Sequence, residues 1–388
     1  MYVVTLKKNE EKRIADGHPW VYANEVAKID GKDAQGSIAK VVSNDGRFIG
    51  YGFINHLSKI IVRIISRNDE EINRDFFYNR INEANNRRLS LGYNNNYRVV
   101  FGENDLLPGL IVDKYGDYLS CQFLSLGMDK IKDMIVSILV EIFNPKGIYE
   151  RSDVKVRLKE GLKEVKGPLY GDFNPKVEIV ENGIKMIVDL ENGQKTGYFL
   201  DQKENRDNLK YYVKGKDVLD CFSNVGGFSL NASKNGAKSV TAVDISEKAI
   251  EDVKENARLN GFTNINTICD DVFKFLRDLK KDKKKYDVII LDPPAFTKSI
   301  DTVKEGYKGY LDINTIALKL LNKEGILVTC SCSEHLTLNL FLKMINEACK
   351  YSKVNAQLVE LRMQGKDHAS LINSDEGLYL KSAVIRVI

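Results

Sequence analysis

Two cysteines, Cys330 and Cys332, stand one residue apart in the stretch VTCSCSEH, where an apolar run gives way to polar residues. A thiol at such a place can pack, bind a metal, exchange electrons or attack a substrate. Metal binding needs two further ligands, and His335 is the one obvious neighbour, so no metal is expected. Redox exchange favours a C-x-x-C pair at a helix N-terminus, which this spacing does not provide. On a strand, Cys330 shares a face with Ile326 and Val328 and reads as a small packed hydrophobe. Cys332 falls just past the strand end, at the mouth of a crevice. It is the better candidate nucleophile.

Carboxylates gather at comparable places. Asp220, Asp244 and Asp292 each close an apolar run, and Asp271 follows another by two residues. One such aspartate reads as a helix cap. Four around one crevice suit a ligand rich in hydroxyls and amines. The first turn, DCFSNVGGFSLNAS, has glycines for close backbone approach but lacks the G-x-G-x-x-G spacing that cradles a pyrophosphate. Its acid repels a diphosphate and attracts a cation. S-adenosylmethionine, with an ammonium, a sulfonium and a ribose diol, meets those terms. The candidate cofactor contacts are Asp220 with Phe222, Ser223, Asn224, Gly226 and Gly227, then Asp244 with Ile245 for the ribose, and Asp271 with Val272 for the adenine amine. Asp292 opens DPPA, where two prolines remove backbone donors and stiffen a rim able to grip the polar edge of a flat base.

Such residues need a frame. Residues 1 to 70 alternate short β-rich runs with glycine turns and predict a small β-barrel or sandwich. Residues 71 to 176 mix a polar helix, strands and the apolar helix MDKIKDMIVSILVEIF into a compact α+β module. Residues 177 to 388 turn to strict strand–helix alternation, with strands at 217–220, 239–244, 265–269, 286–292 and 325–331. That pattern predicts a doubly wound, mostly parallel α/β sheet, whose ligands bind beyond the carboxyl ends of the strands.

Composition limits the classes. The chain has 388 residues, 43% hydrophobic and 29% charged, with net charge +4, which permits a nucleic-acid partner without demanding one. No apolar run approaches the roughly 18 residues of a membrane span, so no membrane partner is expected. Six scattered cysteines read as free thiols in a reducing cytoplasm.

These motifs resemble the bacterial 23S ribosomal RNA cytosine-5 methyltransferases that carry an N-terminal PUA domain. GHPWVYANEV (17–26) is similar to the family's PUA opening, ENDLLPGLIVDKYGDYL and IYERSD to its central module, and ENGQKTGYFLDQKENR (191–206) to its most distinctive signature. LDCFSNVGGFS, LDPPAFTKS and SCS follow, and in KDHASL the family's proline is replaced by Ala369. The resemblance implies a Rossmann-like class I methyltransferase domain behind the PUA and α+β modules, with S-adenosylmethionine as cofactor and 23S rRNA as partner. It also leaves room for a homodimer. It makes Cys332 the thiolate that attacks cytosine C6 and Asp292 its acid partner. Tyr198 and Gln202 would line the cofactor or base pocket, with Lys195 facing RNA. In the first 70 residues, Arg13, His18, Lys59 and Arg63 are the candidate RNA contacts. Two other readings are a guanine-nitrogen RNA methyltransferase, which would need no thiol, and a non-catalytic RNA-binding factor on the same fold.

Overall fold

The computed structural model describes residues 1–297, 299–374 and 377–388, to which all counts below refer. The chain divides into two compact units. The first comprises residues 1–179, 188–200 and 366–377; the second comprises 180–187, 201–365 and 378–388.

In the first unit, six short strands form one sheet in the order Trp20–Tyr22, Ile60–Ser66, Phe48–Ile54, Ile38–Val42, Tyr2–Leu6, Val26–Asp30. A second sheet has five strands, ordered Val165–Tyr170, Gly147–Ser152, Tyr118–Phe123, Leu110–Tyr115, Asn96–Phe101. The Arg74–Ser90 helix begins where the Asn73 side chain accepts the Phe76 amide at 3.1 Å. The apolar helix expected from MDKIKDMIVSILVEIF is two helices, Leu126–Lys130 and Lys132–Phe143.

Residues on either side of position 70 share a core. Phe53 and Ile65 belong to one core with Phe77, Tyr97 and Leu110. Arg63 bridges Glu103 (2.7 Å) and Glu160 (2.9 Å), and Asn55 and Ser58 also donate to Glu160. Residues 188–200 and 366–377 also pack into the first unit. There Thr196 donates to Asp113 at 2.5 Å, and the Asp367 carboxylate takes the Arg98 amide at 2.9 Å.

The second unit is built on a seven-stranded sheet ordered Ile265–Cys269, Ser239–Asp244, Asp217–Cys221, Tyr286–Leu291, Leu321–Ser331, Lys381–Val387, Ala356–Arg362. The first five strands run parallel, and Lys381–Val387 is antiparallel to both of its neighbours. Strand order reverses between Asp217–Cys221 and Tyr286–Leu291, which makes the crevice above them the expected ligand site. Val, Ile and Leu on these strands pack against helices on both faces. Leu219, Ile289 and Leu327 meet Tyr310, Phe341 and Leu276 in one core, while Val218, Val288, Val328 and Cys330 join Phe228 in another. Residues 180–187 are tied in by Glu181, paired with Arg206 at 2.7 Å, and by the Ile187 amide on Asn256 at 2.8 Å.

Candidate functional site

At the switch point, Asp220 sits on the first strand with no exposed surface. One oxygen accepts from Ser229 at 2.6 Å, while the other, Oδ1, is buried without a hydrogen-bond partner. Burial, seconded by the charges of Asp292 and Asp244, pushes its carboxyl up to about 7 against the Ser229 bond. The following turn is strained: Phe222, Asn224 and Gly226 take φ of +63°, +48° and +91°. A Cβ on Gly226 would also stand 3.2 Å from Val253, so glycine is required there. The Ser223 hydroxyl is likewise buried without a partner. A turn that leaves a carboxylate oxygen and a hydroxyl unmatched fits a ligand bringing a cationic amine. S-adenosylmethionine brings one. Its ammonium would lie against Asp220 and Ser223, with Gly226 and Gly227 admitting close backbone approach.

The Asp244 carboxylate is oriented by two backbone amides, Asn224 and Ser246, each at 2.9 Å. Beside it Ile245 is largely exposed, an apolar platform next to a polar acceptor. Asp271 is exposed and caps the Val272–Lys281 helix by accepting the Lys274 amide at 2.9 Å, so the ordinary capping role is realised there. Val272 is buried in the core and offers a ligand backbone atoms only.

The other side of the crevice holds the thiol. Asp292 leaves the Tyr286–Leu291 strand beside Cys221 and accepts from Gln202 Nε2 at 2.9 Å. Gln202 is fixed in turn by Asn205, 2.7 Å from its oxygen. Cys332 lies one residue past the Leu321–Ser331 strand, half-buried, its Sγ 4.0 Å from the Pro293 carbonyl. Cys330 is fully buried in the core behind, 3.4 Å from Ser382 Oγ, and burial drives its thiol far above the ordinary range. Phe296, after the two prolines, packs on Tyr310 (4.6 Å between rings) and Phe273 (5.7 Å). The Tyr310 hydroxyl meets Ser333 Oγ at 2.9 Å, which pins the loop after Cys332.

The structure therefore brings Asp220, Phe222, Ser223, Asn224, Gly226, Gly227, Asp244, Gln202, Asp292 and Cys332 together around one switch-point crevice. Sequence reasoning missed Lys381, 2% exposed, whose Nζ donates to the Ser333 carbonyl at 2.7 Å. Burial lowers it to about 8, opposed by Cys332 and Glu334. No motif marks it.

Tyr198 and Lys195 belong to the first unit. Tyr198 is buried with its backbone bonded to the Tyr115 hydroxyl, and Lys195 lies over the Phe199 ring at 4.7 Å. Among the expected RNA contacts, the Arg63 side chain is 11% exposed and engaged by two carboxylates. Arg13 is half-committed to Glu25, and His18 accepts the Trp20 amide, burial lowering its pKa. Lys59 is exposed in the bend just before the Ile60–Ser66 strand.

Residues 4–67 match a PUA-like domain, and residues 166–359 match an S-adenosylmethionine-dependent methyltransferase. The chain is 40% identical over 392 residues to ribosomal RNA large subunit methyltransferase I of Aliivibrio fischeri, covering 99% of each. It is 40% identical to the Aeromonas salmonicida protein of that name, covering 99% of this chain and 98% of that one. Among solved structures, a SAM-dependent methyltransferase from Streptococcus mutans superposes over the full length of both chains with TM-score 0.84 at 24% identity. A methyltransferase complexed with SAH does so at 0.86 and 23%. These likenesses establish the shared fold. No helix among the described residues is long and apolar enough to cross a membrane.

Proposed function

Since the chain belongs to the ribosomal RNA large subunit methyltransferase I family, we propose that it methylates C5 of a cytosine in 23S rRNA through a covalent bond to Cys332. It is an S-adenosylmethionine-dependent enzyme of large-subunit rRNA, which makes the cytoplasm its place of work. The observation that carries the finer reading is Cys332 itself. A half-buried thiol at the crevice mouth, beside the DPP turn, has no use in methylating a guanine nitrogen.

Cytosine C5 is a poor nucleophile. Attack by Cys332 Sγ on C6 forms an S–C bond and moves the ring's π pair to C5. Bound S-adenosylmethionine would supply the methyl group; Asp220, Asp244 and the 222–227 turn would hold it, with Asp271 and Val272 toward the adenine amine. Asp292, steadied by Gln202, passes a proton to N3, which takes up the negative charge that thiolate attack puts on the ring, and accepts from the exocyclic amine. Loss of the C5 proton then returns the electron pair that expels Sγ. Lys59, Arg13 and His18 in the PUA-like segment hold RNA by charge and hydrogen bonding, and Lys195 adds a further RNA contact on the same unit.

Incubating the protein with target RNA carrying 5-fluorocytosine tests this, because fluorine cannot leave as a proton and the adduct persists. The expected product is one RNA cross-link at Cys332, absent in Cys332→Ala. A cross-link at Cys330, or methyl transfer by Cys332→Ala, overturns the reading.

A further inference from the structure

Lys381 opens the Lys381–Val387 strand directly opposite Ser331, so its side chain enters beside the segment that carries Cys332. Its Nζ makes one hydrogen bond, to the Ser333 carbonyl, and no carboxylate of the described residues lies within ion-pair distance. A buried ammonium held only by a neutral carbonyl is costly and calls for an anion. Two ionisable groups act on it, Cys332 and Glu334. Glu334 is exposed, so water screens it; Cys332 is half-buried. Of the remaining groups around the thiol, Tyr310 acts on Cys332 as a neutral phenol, and Cys330 is held protonated by burial. Asp292 is an acid beside the same pocket and opposes any second negative charge there.

We propose that Lys381 is a positioning residue whose ammonium serves as the counter-ion of the Cys332 thiolate. The inference rests on Cys332 being the nucleophile. When the pair forms, the thiol proton leaves Sγ for solvent while Nζ keeps its own, so a neutral thiol beside a lone cation becomes an ion pair. Burial holds Lys381 near the point where it would shed its proton, and the thiolate draws that proton back. After the C6–S bond forms, the freed ammonium stays beside Ser333, ready to receive the thiolate again.

The test is the pH dependence of iodoacetamide alkylation in the full-length protein, read peptide by peptide by mass spectrometry, with exposed Cys269 as internal reference. In Lys381→Met the Cys332 midpoint moves up and the rate at pH 7 falls roughly tenfold, Cys269 being unchanged. Lys381→Arg keeps the cation and stays within about twofold of the parent. If buried Cys330 also becomes labelled in Lys381→Met, the fold has opened; Lys381→Gln, which retains a donor for Ser333, then replaces it. Identical profiles in parent and charge-free variants overturn the proposal, as does Lys381→Arg reacting as slowly as Lys381→Met. Alkylation reports the ion pair whether or not Cys332 attacks RNA, whereas the 5-fluorocytosine adduct reports the attack, so the two failures are distinguishable.

Discussion

Replacing Asp220 with Asn separates the cofactor-binding role of this carboxylate from its structural cost. Asp220 is fully buried, and its carboxyl stands at about 7 against an ordinary 3.8. The folded state thus keeps a proton that the unfolded chain has already lost. The sign follows: ionising Asp220 costs stability progressively as pH rises from about 4, and the cost levels off above the folded value. A gap of about three units corresponds to about 4 kcal/mol. Between pH 5 and pH 8 roughly two of those units are traversed. Asp220→Asn, which carries no charge, therefore gains about 2.5 kcal/mol on the parent over that interval. The new amide keeps an acceptor for Ser229 but adds a donor without a partner, a pH-independent loss of about 1–3 kcal/mol. Only the pH slope of the difference is diagnostic. Urea denaturation of both proteins at pH 5, 6, 7 and 8 measures it. A constant difference across that range refutes the reasoning, because it means Asp220 ionises in the ordinary range. Calorimetric titration with S-adenosylmethionine in buffers of differing ionisation enthalpy gives the complement. The parent releases protons on binding near pH 6.5, and Asp220→Asn binds more weakly and releases none.

Cys332→Ala should bind cofactor and RNA normally and transfer no methyl group. Cys330→Ala should keep turnover and lose about 1 kcal/mol in denaturation, as expected for a small buried side chain. Asp244→Ala should weaken S-adenosylmethionine by about 1–3 kcal/mol by calorimetry, since it loses a charged acceptor and frees the amides of Asn224 and Ser246. Arg63→Ala should destabilise the first unit by about 3–5 kcal/mol, because the buried Glu160 loses its charge partner. Lys59→Ala should leave stability unchanged, weaken RNA binding, and lower the slope of log affinity against log salt by about one.

The parallel part of the large sheet was legible because each strand is a continuous apolar run with a helix after it. Predicted and observed limits agree to within a residue for four strands; Leu321–Ser331 begins four residues early. The strand-end acids were legible for the same reason: once the strands are placed, Asp220, Asp244 and Asp292 fall at one edge. The two C-terminal strands, Ala356–Arg362 and Lys381–Val387, complete the sheet out of sequence order, and no local pattern shows which strand each will join. Lys381 was hidden with them, since a lysine opening a strand reads as solvated until its neighbours are known. The Arg63 bridge is hidden for a related reason. Alternation assigns it a face, but its partners Glu103 and Glu160 lie 40 and 97 residues away. Where segments cross over, the compact units do not follow the order of the sequence. Thr196 and Asp367 leave the methyltransferase stretch of sequence to bond Asp113 and Arg98.

Nucleoside mass spectrometry of 23S rRNA tests cytosine C5 methylation through Cys332, comparing cells with the gene, without it, and complemented by parent or Cys332→Ala. One 5-methylcytidine is expected to disappear with the gene, return with the parent and stay absent with Cys332→Ala. Unchanged 5-methylcytidine with loss of a methylated guanosine, or restoration by Cys332→Ala, would contradict it.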